Sequence, residues 1–202
     1  MNLPISVENA QRLYEKNDSA HAFDHVLRVY RLAERIGRAE GANLRILLTA
    51  ALLHDIAHDE PDHHLRGAER ARELLAGEPA DFVDAVAHCI EAHRFRKGPE
   101  PQTLEARILQ DADKLDAIGA IGVARAFAHA GHFNEPLWAP LDVVKASPLD
   151  GPDHTPVHEY WHKLRHLADR LHTPTARAIA RERHAFMEAF FRRLDEECRG
   201  LR

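Results

Sequence analysis

Residues 44–55 read LRILLTAALLHD, a stretch that is apolar almost all round until it ends on His54 and Asp55. A helix without a polar face has to be central, so the remainder of the chain must supply helices or sheets to surround it. Asn43 stands immediately before it as a helix cap. The His-Asp pair then falls at the end of the most apolar helix, where an unpaired buried charge costs several kcal/mol by order of magnitude. A cation is an economical partner for it.

The surrounding text is helical in period. In residues 23–40, Val26, Val29, Tyr30, Ala33 and Ile36 share one face, and Gly41 closes the segment. A short helix is expected over 6–14, ending near the polar cluster at 16–19. After the loop IAHDEPDHH, helices are expected over 65–76 and 79–93, with Pro79 in the first turn of the second. Phe82, Val86, Ile90 and His93 follow one another at helical spacing, which puts His93 on the buried face. Residues 103–130 read as one long helix, capped by Thr103, with a stripe of Leu104, Ile108, Leu115, Ile118 and Gly122. Gly119 and Gly122 would admit a neighbouring helix closely. Residues 131–155 carry Pro136, Pro140, Pro148, Gly151 and Pro152 and read as an irregular loop or lid. Two last helices, 156–171 and 174–199, fit an antiparallel hairpin joined at His172-Thr173. No strand alternation competes and no repeat period is visible, so the fold class is all-α, a helical bundle.

A chain of 202 residues fits one domain, with its core over about 20–130. With 45% hydrophobic and 29% charged residues it is neither disordered nor collagenous. Basic residues number 27 against 32 acidic ones, a formal charge of -5, so no stable nucleic-acid binding is expected. Cys89 and Cys198 are too few for a disulfide framework. The first residues lack the apolar run of a signal peptide, and no stretch of about 18 uncharged apolar residues occurs. The expectation is a cytoplasmic protein without membrane contact.

No GxxxxGK[ST], GxGxxG after a strand, GxSxG or HExxH is present. What remains is His25 in FDHVLRV, His54-Asp55 in ALLHDIAHDE and Asp113 in LQDADKLDAIGAIG. Two imidazoles and two carboxylates suit Mn, Fe, Co, Ni or Mg with open positions, and suit a thiolate-rich structural zinc site poorly. Each residue alone has a structural alternative, since a His can cap a helix end and an Asp can pair with a nearby Lys or Arg. As an ordered set they point to a metal that activates water.

The order His25, His54-Asp55, Asp113 resembles the metal signature of the HD-domain phosphohydrolase superfamily, and ALLHDI and DADKLDAIGAIG resemble its two core motifs. The C-terminal text HEYWHKLRHL and LHTPTARAIARERHAFMEAFFRRLDEE is similar to the tail of a bacterial subfamily that includes nucleoside triphosphate pyrophosphohydrolases. The likeness covers about residues 20 to 197. It implies an HD-domain bundle with a C-terminal helical hairpin, in which His25, His54, Asp55 and Asp113 hold a divalent metal.

Further roles follow from the resemblance. The family's HDIGK or HDxxED text becomes His58-Asp59 here, which departs from it at His58. Asp59 is expected as general acid or water-orienting group and His58 as secondary, against the alternative of a solvated loop. His63 and His93 are expected as ligands of a second metal, as phosphate contacts or as structural residues. One ion is favoured over two because the tail is similar to a one-metal subfamily.

Arg94, Arg96 and Lys97 would neutralise a polyphosphate or form a solvated helix end. Asp116 could orient a ligand or water, Lys114 should point elsewhere, and Trp138 could stack on a base or anchor its loop. The expected activity is metal-dependent hydrolysis of a nucleotide or another small phosphate ester, with a nucleoside triphosphate best supported by the tail. The alternatives are a di-iron oxygenase and a noncatalytic nucleotide sensor. A homo-oligomer is compatible with all three.

Overall fold

The computed structural model describes residues 2–14, 20–94, 98–149, 151 and 153–202, with backbone alone for 20–22. The polar cluster at 16–19, Pro152 and the candidate phosphate-binding residues Arg96 and Lys97 lie outside these. Among the described residues every regular element is helical, so the all-α expectation holds.

The apolar segment forms α3 (Leu44–Leu53), buried from Leu47 to Leu53. Its start is fixed by Asn43, whose side-chain oxygen accepts from the backbone N–H of Arg45 at 3.1 Å and of Ile46 at 3.4 Å. Against α3 pack α1 (Val7–Tyr14), α2 (Ala20–Glu40) and α5 (Ala80–Ala92), and α4 (His63–Leu74) packs on α5. On α2 the expected stripe is buried at Val26, Val29, Ala33 and Ile36, while Tyr30 is half-buried. Gly41, at φ 75°, ends it in the left-handed conformation that glycine adopts without penalty. The Tyr14 hydroxyl donates to the Leu52 carbonyl at 2.9 Å, tying α1 to the last turn of α3.

Several boundaries differ from the sequence reading. Helix α4 begins at His63, two residues early, because Asp62 turns the chain in the left-handed region at φ 54°. Pro79 sits at the N-cap of α5 with extended ψ 140°, one residue outside the helix. The long helix expected over 103–130 is two, α6 (Leu104–Asp116) and α7 (Gly119–His132). Between them Ile118 is extended and Gly119 takes φ 79°, so the apolar stripe continues while the helix axis does not. A Cβ on Gly122 would meet the Ala117 carbonyl oxygen at 2.3 Å, so this glycine serves the break itself. Gly119 does admit a neighbour, the Arg183 side chain.

The contacts divide into two compact units, Met1–Asp113 and Lys114–Arg202, with the junction inside α6. In the second unit, the stretch read as irregular contains α8 (Leu141–Ala146), whose Val144 is buried. The first arm of the expected hairpin is α9 (Pro156–His162) followed by a 3₁₀ stretch, Leu164–Arg170, because Lys163 leaves helical geometry at φ -128°. The last helix is α10 (Pro174–Cys198), capped by Thr173, and it packs on α7 and on the 3₁₀ stretch.

Trp138 donates its indole N–H to Asp195 at 3.2 Å, beside Arg199, which makes it an anchor onto α10. Lys114 donates to the Arg170 carbonyl at 2.7 Å, and Asp116 faces Arg125 at 3.5 Å. No helix among the described residues is long and apolar enough to cross a membrane.

Left-handed backbone costs an L-residue about 1–2 kcal/mol, so Gly119→Ala should lower stability by at least that much in chemical denaturation. Gly131→Ala, within α7 with open space around it, should be neutral or stabilising, by up to about 1 kcal/mol. Equal midpoints for the two variants would contradict the left-handed break.

Candidate metal centre

His54 is the C-cap of α3 and is completely buried. Its Nδ1 lies 2.9 Å from the Ala51 carbonyl oxygen, which can only accept, so Nδ1 carries the proton and Nε2 presents a lone pair. His93, at the C-cap of α5, is held the same way by the Ile90 carbonyl at 2.6 Å. Helical geometry explains both, since an imidazole at a helix end can fold back onto the carbonyl three residues earlier. Such a bond fixes tautomer and ring orientation, as the partners of metal-ligating histidines do.

Into the space before His54 Nε2 project groups from two other helices. His25 of α2 places Nε2 at 3.4 Å from it, Asp55 Oδ2 lies 3.6 Å from both nitrogens, and Asp113 Oδ1 of α6 lies 3.3 Å from His25 Nε2. Donors bound about 2.1 Å from one ion stand about 3.0 Å apart at neighbouring octahedral positions and about 3.4 Å apart at tetrahedral corners. The observed separations fit a divalent ion with nitrogen and oxygen ligands. Asp55 Oδ1 faces the other way, 3.5 Å from His93 Nε2, and with His63, the first residue of α4, these form a second group of converging donors.

The charge balance is consistent with this geometry. Burial pushes the His54 pKa down against the pull of Asp55, with His93 and His25 adding to the effect. Burial would raise Asp55, but His54, His93 and His25 outweigh it and hold the carboxyl well below the usual carboxylate range. Asp113 is lowered too, against its own burial, chiefly by His25. Burial opposes charge on His93, yet the Asp55 carboxylate beside it raises its pKa. His63 is lowered by burial first, then by His93 and Arg94. Two ionised carboxylates thus face several imidazole nitrogens, a donor set that a cation satisfies.

Other sequence candidates stand differently. His58 and Asp59 pair with each other at 2.8 Å, with Asp59 about half exposed at 53%, and neither joins the two donor groups. Arg94 acts electrostatically on both His63 and His64.

Two residues escaped the sequence reading. Gln110, buried on α6, donates to the Ala92 carbonyl at 2.8 Å and so ties the helix of Asp113 to the residue before His93. Its position one turn ahead of Asp113 was the available signal. Arg70 of α4 donates to the Ile56 carbonyl at 2.8 Å and to Glu60, bracing the turn that follows Asp55.

The HD-domain family model matches residues 22–118, a window that holds every donor described above. Protein YpgQ of Bacillus subtilis is 37% identical over 198 residues, 95% of this chain and 91% of that one. A crystal structure of an HD-superfamily hydrolase from Bacillus thuringiensis has TM-score 0.79 and 30% identity, covering 96% of this chain and 94% of the other. The crystal structure of B. subtilis YpgQ in complex with ADP has TM-score 0.70 and 35% identity, over 95% and 92% of the two chains. Because the likeness runs through nearly the whole of both chains, in backbone as well as in sequence, this chain belongs to the HD-domain family.

Proposed function

We propose that this chain is a metal-dependent phosphohydrolase acting on a nucleotide, with a nucleoside triphosphate as the best-supported substrate. The observation that carries this reading is the convergence of His25 Nε2, His54 Nε2 and Asp55 Oδ2 at 3.4 to 3.6 Å, with Asp113 Oδ1 3.3 Å from His25 Nε2 at the edge of that group. These four residues would hold one divalent ion. When bound, such an ion polarises a phosphoryl oxygen and lowers the pKa of water, which supplies a nucleophile without a covalent intermediate.

The protein's own groups divide the remaining work. His54, wholly buried, forms the back of the site, while Asp55 and Asp113 keep 22% and 29% of their side chains exposed, on the side from which a phosphate oxygen can approach. Arg94 neutralises phosphate charge beside His63, with Arg96 and Lys97 following in sequence. Asp59, half exposed and bonded to His58, handles the proton of the water or the leaving group. The nucleotide is supported by similarity to YpgQ, a protein crystallised with ADP. A panel of nucleotides and phosphate esters with Mn, Co, Ni and Mg, products assigned by phosphorus NMR, tests the reading. Oxygen uptake by the iron form without phosphate release would favour an oxygenase, and tight binding without turnover a sensor.

The second donor group favours a further role for Asp55. Its two oxygens face different histidines, as a carboxylate bridging two ions does, and His63 with His93 takes either a second ion or a phosphate oxygen. We propose the single ion with His63 and His93 on phosphate. Removing both imidazoles should then leave the metal count unchanged and raise KM. A fall from about two ions per chain to about one would establish the bridged pair instead.

Asp55→Ala should lose metal and turnover together, and full activity in its metal-free form would end the proposal. Asp59→Asn should keep its metal and lose about 10²- to 10⁴-fold in kcat, the usual contribution of a positioned acid or base. Loss of the ion in that variant would make Asp59 a ligand. Gln110→Leu leaves the Ala92 carbonyl without this donor and, through the seat of Asp113 on the same helix, should weaken metal binding by up to about 10-fold, less than loss of a group bonded to a ligand itself. Unchanged affinity in titration calorimetry would remove Gln110 from the support of the site.

A further inference from the structure

Histidines also cluster in the second unit, and they are used in two ways. His158 places Nδ1 at 2.9 Å from the Thr155 hydroxyl and Nε2 at 3.0 Å from the Ser147 hydroxyl, while His162 Nε2 lies 2.9 Å from the Val144 carbonyl. These two pin α8 and its C-terminal end to α9 and have their polar partners. His154 differs, because both of its nitrogens face carboxylates. Nδ1 is 3.0 Å from Glu135 Oε2, and Nε2 is 4.0 Å from Glu159 Oε2. The same Glu135 oxygen lies 3.7 Å from Nδ1 of His129, on the last turn of α7.

A neutral imidazole has one N–H and cannot donate to two carboxylates, so one of them would face a bare lone pair. A cation beside the bare nitrogen resolves that repulsion. We propose that His129, Glu135 and His154 form a binding site for a divalent cation of the borderline class, zinc foremost, sharing no residue with the central site.

Two imidazoles and a carboxylate are a common zinc donor set, with water completing the coordination. The carboxylate of Glu159, 4.0 Å behind His154 and itself held by Lys163, would orient a ligating imidazole and raise its basicity on closing to hydrogen-bond distance. Donors about 2.0–2.2 Å from a tetrahedral zinc ion stand about 3.3–3.6 Å apart, so Glu135 and His154, at 3.0 Å, need to open by only a few tenths of an ångström. His129 has to close by a few tenths of an ångström onto Glu135, and further onto His154, from a ring-centroid separation of 6.2 Å. It is 59% exposed at a helix end, and its turn would have to slide it along the Phe133 ring, 4.6 Å away and itself exposed. An ion held there joins the end of α7 to the start of α9 and closes the loop that contains α8.

Metal-stripped protein dialysed against zinc and counted by elemental analysis tests this. Wild type should retain one zinc more than His154→Ala, and Asp55→Ala should retain the same ion while losing the central one. Glu159→Gln should weaken this zinc about 10-fold, as loss of an outer carboxylate does. Zinc should also slow amide exchange over residues 136–149 in wild type and Asp55→Ala, and leave it unchanged in His154→Ala. Should His154→Ala not fold, the nearly isosteric Glu135→Gln serves the same count, with affinity lowered at least 10-fold. Equal zinc counts and equal exchange in wild type, His154→Ala and Glu135→Gln would overturn the proposal and leave His154 as a structural contact between two carboxylates.

Discussion

The hydrogen bond from His54 Nδ1 to the Ala51 carbonyl is the contact on which the central site depends. It satisfies a carbonyl of the last turn of α3 and fixes which nitrogen of a completely buried ring stays bare. The other tautomer would set a lone pair against the carbonyl and spend the N–H on the side of His25, leaving no bare nitrogen there for a cation. The bond holds because α3 is apolar on all sides and buried, so its end cannot shift without moving α2 and α5. Stability and chemistry therefore meet in one helix, whose packing determines where a lone pair points.

Asp55 carries the next step. A carboxylate placed just beyond a buried helix end would ordinarily be neutralised by protonation, yet the imidazoles around it hold it ionised. Each oxygen has its own side, Oδ2 towards His25 and His54 and Oδ1 towards His93. Truncating this residue affects two groups of donors at once, whereas truncating His25 or His63 affects one. The consequences of substitutions around Asp55 should accordingly not be additive.

Much of this was legible because burial leaves a period. The stripe on α2, the all-apolar α3 and the position of His93 at the end of α5 follow from spacing alone, and the structure buries them apart from Tyr30 and the first turn of α3. The break at Ile118 was not legible, because the apolar stripe passes through it unchanged and only the positive φ of Gly119 marks it. Gln110 stayed hidden because its partner is a backbone carbonyl, and backbone carbonyls leave no trace in composition. The pairing of His58 with Asp59 was equally invisible, since adjacent residues in a turn can face each other or part. Spacing also cannot say which oxygen of Asp55 faces which ring.

A histidine-rich chain poses the problem of telling ligands from structural residues, and the partner of the second ring nitrogen separates them. Where one nitrogen is spent on a carbonyl and the other meets further lone pairs, as at His54, the ring is arranged for a cation. Where both nitrogens meet hydroxyls, as at His158, each hydroxyl can turn to donate or accept, and nothing further is needed. His154 falls between these cases. Its two carboxylate neighbours can only accept when ionised, so a single N–H serves one of them and leaves the other nitrogen side open to a cation. The same side chain therefore has three uses in one protein, and accounting for donors and acceptors distinguishes them where residue type and exposure do not.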